Sequence, residues 1–200
     1  MSKSSLKRIE TLNQDCKDCG LCKTRNKIVF GIGNMNANLM LIGEAPGFSE
    51  DQSGRPFVGR SGKKLNDWLE RIGLTRDDVY ITNVVKCRPP ENRDPLPKEI
   101  KACRRYLTQQ IKAIRPKMIC TVGRIATQVL LGSKAAMKNF RGKTWKYKDV
   151  LPLFPIYHPS YILRDPSRQE VVNVDLKFLK LRLDAEIEKP TCTIEQYEAL

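Results

Sequence analysis

Long apolar runs are missing from this sequence: no uncharged stretch approaches the ~18 residues of a membrane span. The opening MSKSSLKRIETL lacks the apolar h-region of a signal peptide, so a cytosolic or nucleoid-associated protein without a membrane partner is expected. No internal repeat is visible, and neither a dinucleotide fingerprint nor a Walker loop occurs at the required spacing. Histidine is nearly absent, with His158 the only one. Acids are scarce as well. The 200 residues carry 36 Lys+Arg against 22 Asp+Glu, a net charge of +14. Five of the acids lie after residue 183 beside one base, which leaves residues 1–183 with 35 − 17 = +18. An excess of that size is a footprint for a polyanion and argues against a small apolar metabolite as sole partner, without separating nucleic acid from an anionic membrane or a ribosome.

What is present is ordinary globular material, 40% hydrophobic and 29% charged. Short, continuous apolar segments at 38–44, 79–84, 117–123 and 150–158 suit strands buried on both faces of a parallel sheet. Helical patterns lie between and after them, at 62–73, 98–115, 124–131 and 171–187. The alternation predicts an α/β three-layer sandwich, a small central parallel four-stranded sheet flanked by helices. Residues 1–188 form one domain in this reading, with an N-terminal metal-cluster segment; residues 189–200 are an acidic tail expected to be detachable and poorly ordered.

Ligand sites in such sheets lie beyond the carboxyl ends of the strands. After the first strand, Gly43-Glu44-Ala45-Pro46-Gly47 makes a tight turn that presents Glu44 and bare backbone N–H groups; a plain strand-exit turn is the bland alternative. Ser53–Gly62 adds three glycines, two arginines and a serine leading into a helix, a cradle for phosphates through backbone N–H groups and the helix dipole. Phe57 in that loop is a stacking platform for a base, or a core residue. Asn83 ends the second strand, where a carboxamide pairs two-pronged with a base edge or serves as a cap. Uracil offers N3–H beside O4, cytosine the reverse, so an Asn fixed in one orientation tells them apart. The fourth strand delivers His158, then a loop whose Leu163 and Arg164 suit a wedge entering a groove.

Seven cysteines in a reducing compartment point to metal or catalysis rather than disulfides. Cys16-x2-Cys19 and Cys87-x15-Cys103 make a four-thiolate set for zinc or a [4Fe–4S] cluster, and spacing alone does not choose. Cys19-x2-Cys22 is an equally good pair, so Cys22 stays ambiguous; Cys120 and Cys192 read as structural. Basic runs flank these features. Nine Lys/Arg oppose three acids from Val85 to Arg115, and six cations meet no acid from Lys134 to Lys148, which favours phosphate tracking over a merely solvated face.

Together, Gly43–Gly47, Gly54-Arg-Pro-Phe57-Val-Gly59, Ile81-Thr-Asn83-Val-Val-Lys-Cys87-Arg-Pro-Pro90 and His158-Pro-Ser-Tyr-Ile-Leu-Arg164 resemble the family 4 uracil-DNA glycosylases, in order from Cys16 to Arg168. Ala45 departs from the glycine common there, but leaves the slot small. The resemblance implies a [4Fe–4S] cluster on Cys16, Cys19, Cys87 and Cys103, with no role for Cys22. It also implies hydrolysis of the N-glycosidic bond of deoxyuridine in single- or double-stranded DNA, after the nucleotide is flipped out. Glu44 and His158 are then the catalytic pair, and Glu44, Ala45, Phe57, Asn83 and His158 hold uracil. Glu50 helps line the pocket against the thymine methyl, and Arg60, Ser61, Leu163 and Arg164 contact DNA. No lysine stands in these motifs as an amine nucleophile, so a monofunctional enzyme without strand cleavage is expected, acting as a monomer. The adduct-forming sister family carries an inserted basic loop with its own histidine, which is missing here. A sliding clamp is a candidate partner that no residue singles out. A metal-stapled, non-enzymatic nucleic-acid reader and a glycosylase of altered base preference are the alternatives.

Overall fold

A computed structural model describes residues 3–200. Helix α1 (Lys3–Gln14) precedes the cysteine-bearing segment, the short strand β1 (Ile32–Gly33) and β2 (Leu39–Gly43). Helices α2 (Phe48–Ser53) and α3 (Arg60–Glu70) lead to β3 (Val79–Asn83); α4 (Pro97–Ile114) leads to β4 (Met118–Val122). Then come α5 (Arg124–Leu131), α6 (Met137–Phe140), β5 (Trp145–Tyr147), β6 (Leu151–Ile156), α7 (Pro159–Arg164), α8 (Gln169–Glu188) and α9 (Ile194–Ala199).

The strands stand in the order β1-β3-β2-β4-β6-β5. The inner four, β3-β2-β4-β6, are parallel, while β1 and β5 add antiparallel edges. The anticipated four-stranded parallel sheet is therefore the middle of a six-stranded mixed one. The two edge strands, two and three residues long, are too short for any periodicity to register.

Strand alternation splits the core between two faces. Met40 and Ile42 of β2 pack with Leu6 and Ile9 of α1, Ile111 of α4 and Ala126 of α5. Leu39 and Leu41 pack with Trp68 of α3, Ile162 of α7 and Leu179 of α8 on the other side. With helices on both faces, every residue of the four parallel strands is buried, as suits their mainly apolar composition.

Two expectations change. The acidic tail is docked rather than loose: Cys192, Tyr197 and Leu200 are buried in the α4-side core. The Tyr197 hydroxyl donates to the Pro116 carbonyl, and Lys112 Nζ donates to the Glu198 carbonyl at 2.7 Å. The segment carrying Leu163 is a helix, not a loop: His158 N-caps α7, accepting the Ser160 N–H at Nδ1 (3.1 Å), and Pro159 supplies the preset φ of a first helical residue.

Part of the basic excess is spent inside the molecule. Asp175, fully buried on α8, takes Arg141 in a two-pronged ion pair that ties the α6–β5 segment to the helix layer. Glu99 takes Arg93 at 2.7 Å and caps the Leu96 N–H of α4. Lys86, fully buried, donates to Thr82 Oγ1 (2.6 Å), the Asn83 carbonyl (2.7 Å) and Gln110 Oε1 (2.6 Å).

Candidate active site

The carboxyl ends of β2, β3, β4 and β6 converge because the four strands are parallel and in register, with Gly43 opposite Asn83 and Val122 opposite Ile156. A cleft of about 880 Å³ opens there. Glu44, Ala45, Phe57, Asn83 and His158 all line it, as do Ser61 and Arg164. Arg60 and Leu163 do not line the cleft; both are solvent-exposed on helices whose neighbouring residues do.

Asn83 is 2% exposed, and its Oδ1 has no hydrogen-bond partner among the described residues. Leaving a buried acceptor unpaired costs about 1–3 kcal/mol unless a ligand supplies the proton. Gly43 keeps that acceptor accessible. A Cβ there would collide with Asn83 Oδ1 and come within 2.7 Å of the Phe57 ring. Phe57 is 7% exposed and lies 5.8 Å from the His158 ring, tilted by 33°. An aromatic floor thus meets a polar edge.

His158 is tuned by its neighbours. Burial, reinforced by the Arg164 cation, pushes its pKa down to about 4, so the imidazole is neutral near pH 7. Nδ1 accepts the Ser160 N–H, which places the remaining proton on Nε2 as a free donor. Glu44 moves the opposite way. Burial, with Asp94 adding repulsion and Arg124 opposing it, raises its carboxyl to about 7.

Glu50 lines the cleft but has a second duty. Its Oε1 accepts the Val58 N–H (2.9 Å) and Gly59 N–H (3.0 Å), and Oε2 the Gly47 N–H (3.2 Å).

The cysteines gather elsewhere. Cys16, Cys19, Cys87 and Cys103 surround one small cavity between α1, the short 3-10 turn Gly20–Lys23 and α4; Cys22 is not among its lining. The Lys86 N–H donates to Cys103 Sγ (3.3 Å) and Arg25 to Cys87 Sγ (3.5 Å), donors of the kind that stabilise thiolate sulfur.

The family model described as the uracil DNA glycosylase superfamily matches residues 30–180. Proteins named type-4 uracil-DNA glycosylase are similar over most of the chain. That of Saccharolobus solfataricus is 47% identical, covering 85% of this chain and 82% of the relative. That of Sulfurisphaera tokodaii is 44% identical, covering 88% and 84%, and that of Archaeoglobus fulgidus 43%, covering 81% and 85%. The chain belongs to the type-4 uracil-DNA glycosylases.

Within this glycosylase, sequence reading missed residues that act on the site from outside its motifs. Asp94 and Arg124, paired at 2.6 Å, set the field at Glu44 from the rim. Arg76 holds the Phe57 loop through its main-chain carbonyls. Asp94 lies in the long polar loop 86–96 and Arg124 just past the third strand, places where functional surface is expected, but neither was singled out; Arg76 carries no sequence signal at all. Lys86, counted at first with the basic surface, is the reverse case. Burial lowers its pKa to about 7, which would suit an amine nucleophile, yet its Nζ is committed to three acceptors and it does not line the cleft.

Proposed function

We propose that this chain excises uracil from DNA in base excision repair, hydrolysing the N-glycosidic bond of a flipped deoxyuridine. The unpaired Oδ1 of Asn83 carries the reading. It accepts uracil N3–H while Nδ2 donates to O4; cytosine presents a bare N3 acceptor there and leaves the buried oxygen unsatisfied. Phe57 stacks on the base. His158 Nε2–H donates to O2, where negative charge grows as the bond to C1′ breaks. Glu44, ionised, holds the attacking water and stabilises the cationic sugar. Atoms balance simply: water gives its hydroxyl to C1′, and the leaving uracil takes up a proton.

Arg60, Ser61, Leu163 and Arg164 are assigned to DNA, with exposed Leu163 filling the vacated stack. The substrate is uracil-containing DNA, single- or double-stranded, met by a monomer at the cytoplasmic nucleoid. A clamp contact has no residue to support it.

We propose a [4Fe–4S] cluster on Cys16, Cys19, Cys87 and Cys103. Four thiols around one cavity, two of them already receiving N–H donors, fit that group. The cluster's part is structural, stapling the N-terminal segment to the loop and helix behind Asn83. Purified protein should contain iron and show broad visible absorption; stoichiometric zinc would overturn the assignment.

The deciding test of function is Asn83→Ala. Uracil release should fall by orders of magnitude while nonspecific DNA binding persists. A wild-type protein that binds uracil-containing DNA but frees no uracil would make this a binding module instead.

A further inference from the structure

Phe57 adopts a left-handed backbone, with φ +52°. A side chain with a Cβ pays of order 1 kcal/mol or more there, and such conformations persist only where the surroundings over-determine them. The residues that do so stand on both sides. Upstream, Arg76 Nη2 donates to the Pro56 carbonyl (2.7 Å) and Nη1 to the Phe57 carbonyl (3.0 Å), with Nη1 steadied on Asn66 Oδ1 at 3.2 Å. Downstream, the Glu50 carboxylate takes the Val58 and Gly59 N–H groups and reaches back to Gly47 at the Glu44 turn. Gly62 completes the arrangement, since a Cβ there would overlap the Phe57 carbonyl.

We infer that Arg76 and Glu50 form a two-sided backbone clamp that fixes the Phe57 ring in its stacking position, so that Arg76 is a positioning residue for the base. Arg76 does not line the cleft and has no ion-pair partner among the described residues, its guanidinium donating instead to main-chain carbonyls. An arginine fork matches two adjacent acceptors at fixed geometry, which a lysine ammonium does not. The ring it fixes is confined by Gly43 on one side and His158 on another, so a small change in the loop moves the ring out of the plane a base needs. The same carboxylate ties the Phe57 loop to the Glu44 turn, coupling the stacking floor to the group that holds water.

This inference rests on the assignment of Phe57 to base stacking, and a double-mutant cycle tests it. Arg76→Met, Phe57→Leu and the double variant are compared by kcat/KM for uracil release, by inhibition with free uracil, and by binding to uracil-free DNA. Base–aromatic stacking sets the expected scale: Arg76→Met should lower kcat/KM about tenfold to hundredfold. It should weaken free-uracil inhibition in step and leave uracil-free DNA binding unchanged. In the Phe57→Leu background the same substitution should cost less than about threefold, because the ring it serves is gone. If the two losses multiply in full, or if Arg76→Met leaves kcat/KM unchanged, the clamp is refuted. If uracil-free DNA binding falls in parallel, Arg76 is a phosphate contact. Should Arg76→Met fail to fold, Arg76→Lys replaces it in the same cycle, with a partial loss expected and the same multiplicative outcome refuting the idea. Wild-type protein that releases no uracil would overturn the function itself, a result distinct from any outcome of the cycle.

Discussion

In the proposed mechanism Glu44 sets the pH dependence. Its carboxyl is raised from an ordinary 4.5 to about 7, mainly because the cleft removes water from it. If the ionised form holds the attacking water, kcat/KM must rise with pH through the free-enzyme value. At pH 5, two units below that value, about 1% of molecules are ionised, so kcat/KM should stand about a hundredfold under its plateau; at pH 8 about 90% are active. His158, pushed down to about 4, stays neutral across this range and adds no second limb. The assay is uracil release from pH 5 to 9 at fixed ionic strength, because phosphate contacts make binding steeply salt-dependent. DNA phosphates in the bound complex raise the carboxyl further, so the kcat limb should lie above the kcat/KM limb. Glu44→Gln should abolish the limb along with most activity. Asp94→Asn should move it to lower pH and Arg124→Met to higher, since the two rim groups act on Glu44 with opposite sign. A flat wild-type profile, a limb that survives Glu44→Gln, or rim variants that shift together would refute the reasoning.

Three further outcomes are expected. Gly43→Ala should cost about 1–3 kcal/mol of stability through overpacking, and should abolish uracil release by closing Asn83 Oδ1 from the base; thermal melting with a uracil-release assay reads both. Asp175→Ala leaves Arg141 without its buried partner and should destabilise by about 3–5 kcal/mol, lowering Tm by roughly 10 °C, whereas a loss under about 1 kcal/mol would mean the pair is dispensable. Deleting residues 190–200 should lower Tm by several degrees, because Tyr197 and Leu200 lose burial worth roughly 1.5–3 kcal/mol each, while uracil release at 25 °C continues; an unchanged Tm would show the tail to be ornamental.

What the sequence revealed and what it hid have physical causes. The parallel strands were legible because burial on both faces selects mainly apolar residues, and the helices α3, α4 and α5 because an apolar stripe of period 3.6 persists over eight to eighteen residues; α8 was legible by its length, its apolar residues lying on more than one face. β1, β5 and α7 were not, being two, three and six residues long and fixed by tertiary contacts. The tail misled because its acids suggested solvation, while its anchoring rests on three spaced residues, Cys192, Tyr197 and Leu200. The cleft residues were found because strand ends are few and a sheet gathers them; Arg76 was not, because it acts through backbone carbonyls that leave no mark on composition.

Charge and selectivity occupy different places for an electrostatic reason. Cations face solvent at the rim, with Arg124, Lys138 and Arg164 all exposed, and others are consumed internally by Asp175, Glu99 and the Lys86 network. At neutral pH the interior offers an apolar ring, a carboxamide and a neutral imidazole, with Glu44 only about half ionised. A cation at the pocket floor would bind a phosphate and block the base, so positive charge helps only where phosphates are meant to stop. Near the floor it acts at a distance: Arg164 adds to the burial that keeps His158 uncharged, and in the proposed mechanism its field favours negative charge on departing uracil. In the proposed mechanism neutral His158 supplies the directed hydrogen bond and the rim supplies the potential. Removing a rim cation should therefore weaken attachment to every sequence alike, whereas removing Asn83 should remove the preference for uracil and leave attachment intact.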